Sequence, residues 1–206
     1  MTDLDHSEDD LTEERVDGRV ARRQRNIDAV LDVVLDMFGE DALFPTMEQA
    51  ATRSGLSLRS LYRYFETPGD LLEAAIQRSR ERGFGVAHLH AIGQGPLAQR
   101  VDDFVAMRVA LYETIGPIYR ATTANAARLP RIQGERAQTR RDFGRQFEAQ
   151  FAPELDAMDA AARAAALTAG DVLTQLDSLD FIRRHRELSV AETEATLRSA
   201  LLALLS

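Results

Sequence analysis

The sequence predicts an all-α protein of about nine helices. Apolar side chains recur at spacings of three and four residues through most of the chain. No segment of useful length alternates with the period of a strand, and glycine and proline separate the periodic segments. We therefore expect an N-terminal three-helix domain that contains a helix-turn-helix, followed by a C-terminal helical domain.

The composition excludes several classes of protein. At 206 residues the chain is long enough for one substantial core or two small domains. It contains no cysteine, which excludes disulfides and thiolate-based metal sites. No run of about 18 apolar residues is present, and the acidic N-terminus lacks the apolar core of a secretory signal. We expect no membrane segment and a cytoplasmic location.

The net charge of -8 does not argue against a nucleic-acid partner, because the negative charge is concentrated at one end. Residues 1–14 contain seven acids and no arginine, whereas residues 15–82 contain 11 arginines and 11 acids. All 25 basic residues are arginine, whose planar guanidinium pairs with guanine edges and with phosphates. The local distribution of charge is therefore more informative than the total.

The N-terminal segments begin with a polar, acidic stretch. We predict a disordered arm over residues 1–19, because this stretch is polar and like-charged in blocks. The first helix is predicted from about Arg22 to Phe38, where apolar residues recur with helical spacing. Gly39 is placed at its C-terminal end, where a left-handed residue is favourable.

Three capping patterns then divide the chain into short helices. Thr46, with Gln49 three residues later, begins the second helix, and Ser57 begins the third. In the segment 67–70, threonine is the N-cap, proline follows at the first helical position, and an acid stands at the third. Short helices are marginal when isolated, so we expect these to share one core.

The rest of the chain is predicted to be helical except for a loop over His88–Pro96 and the breaks at proline. The predicted helices are Pro68–Ala87, Leu97–Tyr112, Ile118–Ala127, Arg131–Phe151, Ala160–Arg184 and a last helix after the Ser189–Glu192 capping box.

The stretch from Thr46 to Phe65, TMEQAATRSGLSLRSLYRYF, followed by Leu71 and Leu72, resembles the DNA-binding domain of the TetR family of bacterial transcriptional regulators. The motif covers about a quarter of the chain, and the helix count resembles the family over the whole length. The resemblance implies a helix-turn-helix domain at 20–66, after the arm at 1–19. It also implies a helical ligand-binding and dimerisation domain at 67–206.

By this resemblance, the third helix lies in the DNA major groove, with Arg59 at a base edge and Tyr62 at a thymine methyl or phosphate. Because Tyr62 follows the apolar Leu61 by one position, its ring should point away from the core. Solvated arginines and packed tyrosines remain the alternatives. The full set of predicted DNA contacts is Thr46, Ser57, Leu58, Arg59, Ser60, Tyr62, Arg63, Tyr64, Arg22, Arg23 and Arg25.

The C-terminal domain implied by the resemblance binds a small-molecule effector and forms a homodimer on a palindromic operator in double-stranded DNA. The residues predicted for the dimer interface are Val172, Leu173, Leu176, Leu179, Leu197, Leu201 and Leu205, with an intrachain core as the alternative. The residues predicted to bind the effector are Phe104, Met107, Arg108, Tyr112, Tyr119, Phe143 and Phe147. Arg108 is a charge on an apolar face, which suits either an anionic ligand or a neighbouring acid.

The sequence therefore predicts a ligand-responsive transcriptional repressor that is released from DNA by its effector, and not an enzyme. We find no catalytic constellation, no phosphate-binding loop and no cofactor or metal site. One feature departs from the family, which often places a lysine where this chain has residues 66–70. Together with the net charge, this leaves open an all-helical small-molecule-binding or adaptor protein without a DNA function.

Overall fold

The computed structural model describes residues 6–41, 44–124 and 130–206. Within these ranges every regular element is helical, which confirms the all-α prediction, although ten α-helices are present where about nine were expected. The helices are α1 His6–Asp41, α2 Met47–Ser54, α3 Leu58–Tyr64, α4 Pro68–Val86, α5 Leu97–Ala124, α6 Pro130–Gln150, α7 Ala152–Ala157, α8 Ala160–Thr174, α9 Leu176–Asp180 and α10 Val190–Leu205, with a π-helical turn at Phe181–His185.

The chain divides into two compact units, an N-terminal unit of residues 1–78 and a C-terminal unit of residues 79–206. The division falls inside α4, whereas the sequence placed the domain boundary between residues 66 and 67. Helix α4 therefore contributes its first half to one unit and its second half to the other.

The N-terminal unit has a small apolar core to which each of its helices contributes. Its α1 side chains are fully buried at Val30 and Phe38, and the ring of Phe38 packs edge-on against Phe44 with centroids 5.5 Å apart. Leu31 and Val34 of α1 are buried as well. The other buried members come from α2, α3, the residue after α3, and α4, and are Met47, Ala50, Ala51, Leu61, Phe65, Leu71 and Ala75. This shared core stabilises helices that are too short to be stable alone.

The predicted helix starts are confirmed at four positions. The hydroxyl of Thr46 accepts a hydrogen bond from the Gln49 amide, and the Gln49 side chain accepts from the Thr46 amide. The hydroxyl of Ser57 accepts from the Ser60 amide at the start of α3, and reciprocal hydrogen bonds join the residues at 67 and 70 and those at 189 and 192. These caps satisfy amides that the first turn of a helix leaves without partners.

The first helix is longer than predicted at both ends. It begins at His6, within the segment predicted to be a disordered arm, and it continues past Gly39 to Asp41. Gly39 therefore does not end the helix. A glycine within a helix costs only about 1 kcal/mol, which the buried face of α1 outweighs.

The predicted break at Gly116-Pro117 is also wrong, because α5 continues through Pro117 to Ala124. A proline removes one helical hydrogen bond and kinks the helix without necessarily ending it. Leu111 and Tyr112 before the proline, and Ile118 after it, are all buried. Packing on both sides of Pro117 therefore holds the two halves of the helix together.

The long helix predicted over Ala160–Arg184 is divided into two helices and a π-helical turn. Gln175 adopts an extended conformation, with ψ 154°, and its side-chain amide donates to Asp171 Oδ1 and to the Arg140 carbonyl. The sequence also missed α7, where Pro153 lies in the first turn of a new helix instead of only ending the previous one.

The C-terminal unit is a helical assembly around an aromatic centre. Helix α5 packs against α6, α9 and α10, and α8 packs against α6, α9 and α10. Phe104, Phe147 and Phe151 are fully buried and meet with centroid separations of 4.9 to 5.9 Å. Such tilted and edge-to-face ring contacts add to the stabilisation from burial.

Candidate nucleic-acid interface and ligand site

The turn between α2 and α3 depends on Gly55. Its φ of 70° is left-handed, and its amide donates to the Thr52 carbonyl at the end of α2. A residue with a side chain is strained in this conformation, so glycine allows the close return of the chain. The result is the helix-turn-helix that the spacing predicted.

Helix α3 has one buried face and one exposed face. Leu61 is fully buried, whereas Tyr62 is 42% exposed, which confirms that its ring points away from the core. Arg59 and Arg63 are also exposed. Within the described part of the chain, Arg59 has no hydrogen bond or ion pair, so its five donors remain available to an external acceptor.

The first turn of α3 is polar and already organised. The hydroxyl of Ser57 accepts from the Ser60 amide at 3.1 Å and donates to the Ser60 hydroxyl at 2.9 Å. Ser60 is half-buried, and Leu58 is 37% exposed beside it. Both serine side chains therefore have local partners, and Leu58 presents apolar surface at the same helix end.

Tyr64 joins α1 to α3, a contact that the sequence did not predict. Its hydroxyl accepts a hydrogen bond from Asn26 Nδ2 at 3.2 Å. The guanidinium groups of Arg23 and Arg63 lie 5.6 and 5.5 Å from its ring centroid. The Asn26 hydrogen bond, together with Arg63 and Arg23, lowers the pKa of Tyr64. The ring thus contacts two of the predicted DNA-contacting arginines, one on α1 and one on α3.

Four other arginines of the N-terminal unit differ in their surroundings. Arg22 and Arg25 are exposed on α1 beside Arg23, as a cluster of positive charge. Arg53 instead makes two hydrogen bonds of 2.6 Å to the carboxylate of Glu40, and these hydrogen bonds lower the pKa of that carboxyl. Arg53 therefore ties α2 to α1.

The start of α4, where the family often has lysine, is acidic and capped. The Thr67 amide donates to Asp70 Oδ2 at 2.8 Å, and the Asp70 amide donates to the Thr67 hydroxyl at 3.2 Å. The Asp70 amide is thus already used within the chain. A helix N-terminus binds a phosphate through amides that have no other partner, and the Asp70 amide is therefore not available for this purpose.

The residues predicted to bind an effector do come together in the C-terminal unit. Arg108 is fully buried, and Tyr119 is the half-buried exception among the seven. The others are buried in the same apolar cluster: Phe104, Met107, Tyr112, Phe143 and Phe147. Six of these seven side chains are apolar or contain aromatic rings without a charge, as is typical of small-molecule sites.

Two tyrosines at the edge of this cluster donate to aspartates of α9. The Tyr112 hydroxyl donates to Asp180 Oδ1 at 2.8 Å, and the Tyr119 hydroxyl donates to Asp177. Burial, followed by the aspartate, raises the pKa of Tyr112 to about 12 and also raises the pKa of Tyr119. Both hydroxyls are therefore protonated donors at neutral pH. Arg120 Nη1 lies 3.5 Å from Asp180, which completes a Tyr–Asp–Arg group.

The predicted dimer residues require a correction. Five of the seven are buried in the core of a single chain, where they cannot also face a partner: Leu176, Leu179, Leu197, Leu201 and Leu205. Val172 is 59% exposed and Leu173 is half-buried, so these two remain available. The leucine spacing showed a buried face but did not show which neighbour buries it.

No group of three or more potential metal-ligating side chains occurs in the described ranges. None of the helices in the same ranges combines the length and the apolar character that crossing a membrane requires.

The fold is an all-α arrangement with an N-terminal helix-turn-helix and a larger helical unit. It is similar to the crystal structure of the multidrug binding protein EbrR complexed with imidazole, with a TM-score of 0.56, 90% of each chain covered and 22% sequence identity. No family model matches the chain, and no curated protein matches it by sequence. At this identity the comparison establishes the fold.

Proposed function

We propose that this protein is a ligand-responsive, DNA-binding transcriptional regulator of the TetR type. The observation that carries the proposal is the exposed face of α3. Arg59, Tyr62 and Arg63 project from a helix whose opposite side is fixed by the buried Leu61. A helix supported in this way can enter the major groove, where arginine hydrogen-bonds to guanine and an aromatic ring contacts the thymine methyl.

The proposed DNA contacts extend from α3 to neighbouring helix ends. Thr46 is exposed at the start of α2, where a capping hydroxyl and a helix N-terminus favour a phosphate. The exposed cluster of Arg22, Arg23 and Arg25 supplies further positive charge on α1. Arg23 and Arg63 both lie against the ring of Tyr64, so α1 and α3 bring positive charge to the same place.

We further propose a homodimer that reads a palindromic operator. Two recognition helices about 34–36 Å apart contact successive major grooves on one side of DNA. The exposed Val172 and the half-buried Leu173 on α8 are the surviving candidates for the contact between chains. We propose that these two side chains are buried when a second copy packs against α8.

The effector is proposed to bind in the C-terminal unit and to release the protein from DNA. The EbrR structure contains a small molecule in a protein named for multidrug binding, and the shared fold supports a similar use here. Helix α4 belongs partly to each unit and provides the physical connection. An effector can change DNA affinity only if it binds the released conformation better than the DNA-bound one.

The test is a titration of labelled DNA, taken from upstream of the protein's own gene, with the full chain. Binding is measured by fluorescence anisotropy at several salt concentrations. We expect sequence-specific binding that weakens steeply with salt, because each phosphate contact releases counterions. A scrambled duplex of the same length is the control. Equal, weak binding to both duplexes would instead favour the small-molecule-binding protein without a DNA function.

A further inference from the structure

Two arginines are buried in the described part of the C-terminal unit, and the chain treats them differently. Arg100 is 4% exposed, and its guanidinium is fully engaged. Its Nε donates to the Gly95 carbonyl at 3.1 Å, and its Nη1 donates to the Gln150 carbonyl and to Glu154, each at 2.8 Å. A buried cation is stable when a carboxylate and carbonyls surround it in this way.

Arg108 has no such partners. It is completely buried, yet neither its Nε nor its Nη1 has a hydrogen-bond acceptor in the described structure. Its single hydrogen bond runs from Nη2 to the Phe143 carbonyl at 3.3 Å. A buried charge without a paired anion is unfavourable, and folded proteins rarely retain one without a purpose.

The surroundings of Arg108 hold the cation without neutralising it. The guanidinium carbon lies 4.0 Å from the ring centroid of Phe143 and 4.8 Å from that of Phe104. These aromatic faces attract a cation but do not accept its in-plane hydrogen bonds. Burial lowers the pKa of Arg108 to about 9, and Asp171 opposes this shift. Arg108 therefore remains protonated at neutral pH.

Asp171 is the acid that most affects Arg108, but its carboxylate is engaged elsewhere. Its Oδ1 accepts a hydrogen bond from Gln175 Nε2 at 2.5 Å. The absence of a side chain at Gly144 lets the carboxylate lie close to α6, with its Oδ1 3.3 Å from where a Cβ would stand. No ion pair joins Asp171 to Arg108 among the contacts of the described residues.

We propose that the effector is an organic anion, a carboxylate on an aromatic or aliphatic body, and that Arg108 is the residue that binds the carboxylate. The unpartnered N–H groups of Arg108 donate to the carboxylate oxygens, and the apolar body lies among Phe104, Phe143 and Phe147. This inference rests on the proposed function, because it names the chemical class of the ligand that the C-terminal unit takes.

The burial of Arg108 also explains how such a ligand would act. Its guanidinium is enclosed by rings, so an anion reaches it only after aromatic side chains have moved. The conformation that binds the anion therefore differs from the one in which aromatic rings enclose the guanidinium. A ligand that binds only the altered conformation shifts the equilibrium towards it, as an effector must.

The experiment measures binding to the purified full chain without DNA, by isothermal titration calorimetry. The probes are benzoate, phenylacetate, 1-naphthoate and octanoate, each compared with its primary amide and with the amine of matching carbon skeleton. At least one carboxylate should bind about tenfold or more tightly than its amide and amine, because a charge-assisted hydrogen bond is lost in the neutral analogue.

Two variants and a control connect this preference to Arg108. Arg108→Met and Arg108→Gln should both lose the preference for the anion, while Arg145→Met, an exposed arginine of α6, should keep it. Arg108→Met should fold, because an apolar side chain of similar length replaces an uncompensated charge.

The inference is overturned if no carboxylate binds more tightly than its neutral and cationic analogues, or if the preference persists in both Arg108 variants. Binding of an amide or amine alone would leave a ligand-responsive regulator but would contradict an anionic effector. Failure to bind DNA would contradict the proposed function without changing these titrations, so the two failures are distinguishable.

Discussion

Replacing Gly170 by alanine tests how tightly α8 packs against the aromatic centre of the C-terminal unit. A Cβ at this position would lie 2.0 Å from Phe147 Cζ and 2.4 Å from Cε1. The Phe147 ring is fully buried, and it is held by Phe104 and Phe151 with centroids at 5.9 and 4.9 Å. The ring can yield only by displacing its neighbours, so the new methyl group overpacks the core.

The expected effect is the difference between two opposing terms. Overpacking costs about 1–3 kcal/mol, and removal of a glycine from a helix returns up to about 1 kcal/mol. We expect a net loss of about 1–2 kcal/mol in the free energy of unfolding, which lowers the melting temperature by roughly 2–8 °C in a protein of this size.

The assay is thermal unfolding followed by circular dichroism, with Gly85→Ala as the matched control. Gly85 lies in α4 within the same unit, and a Cβ there meets no atom within 4 Å. Phe147→Leu should destabilise the Gly170→Ala protein less than the wild type, because a smaller side chain relieves the clash. A Gly170→Ala protein as stable as Gly85→Ala would refute the packing described.

Three further predictions concern the proposed DNA complex. Tyr64→Leu should lower operator affinity by about threefold to tenfold, because Arg23 and Arg63 lose the ring that they share. Tyr64→Phe keeps the ring and should have a smaller effect. Equal losses of affinity in anisotropy titrations would show that the ring does not position the two arginines. Val172→Asp should convert a dimer to a monomer, as measured by size-exclusion chromatography with light scattering. The control Ile92→Asp, in an exposed loop, should leave the dimer intact. A Val172→Asp protein that remains a dimer would place the interface elsewhere. Deletion of residues 1–14 should raise DNA affinity, most strongly at low salt, because it removes seven acids that precede the α1 arginines in the sequence. Unchanged affinity would show that the acidic segment does not shield them.

Local chemistry explains what the sequence predicted well. The caps at Thr46, Ser57, Thr67 and Ser189 depend on side chains that bond to amides only a few residues away. Such contacts are present in the sequence pattern itself. The exposure of Tyr62 likewise follows from helical geometry once Leu61 is assigned to the core.

Contacts between distant segments explain what the sequence missed. Pro117 and Gln175 were misjudged because the outcome depends on packing and hydrogen bonds made by other helices. The sequence did not predict the hydrogen bond from Asn26 to the Tyr64 hydroxyl, because the two residues lie 38 positions apart in the chain. No periodicity distinguishes a leucine that packs within the chain from one that meets a partner, which explains the misassigned dimer residues.

The two buried arginines show the same limit at the candidate ligand site. Arg100 and Arg108 lie on the same helix, and both are buried. Arg100 has a carboxylate partner because Glu154, which lies 54 residues away in the chain, is close to it in the fold. Arg108 has no such partner among the described residues. The sequence identified Arg108 as unusual, but only the structure shows that its neighbouring acid is engaged elsewhere.

The most direct test of DNA recognition by α3 is selection of operators from a random duplex library by wild type and by Arg59→Ala, with Arg198→Ala as an exposed control in the C-terminal unit. The wild type and the control should select the same palindrome. Arg59→Ala should keep the half-site spacing but lose preference at one symmetric pair of positions, with a loss of about 1–3 kcal/mol in affinity for the wild-type operator. An identical palindrome bound with unchanged affinity by Arg59→Ala would contradict the placement of α3 in the major groove.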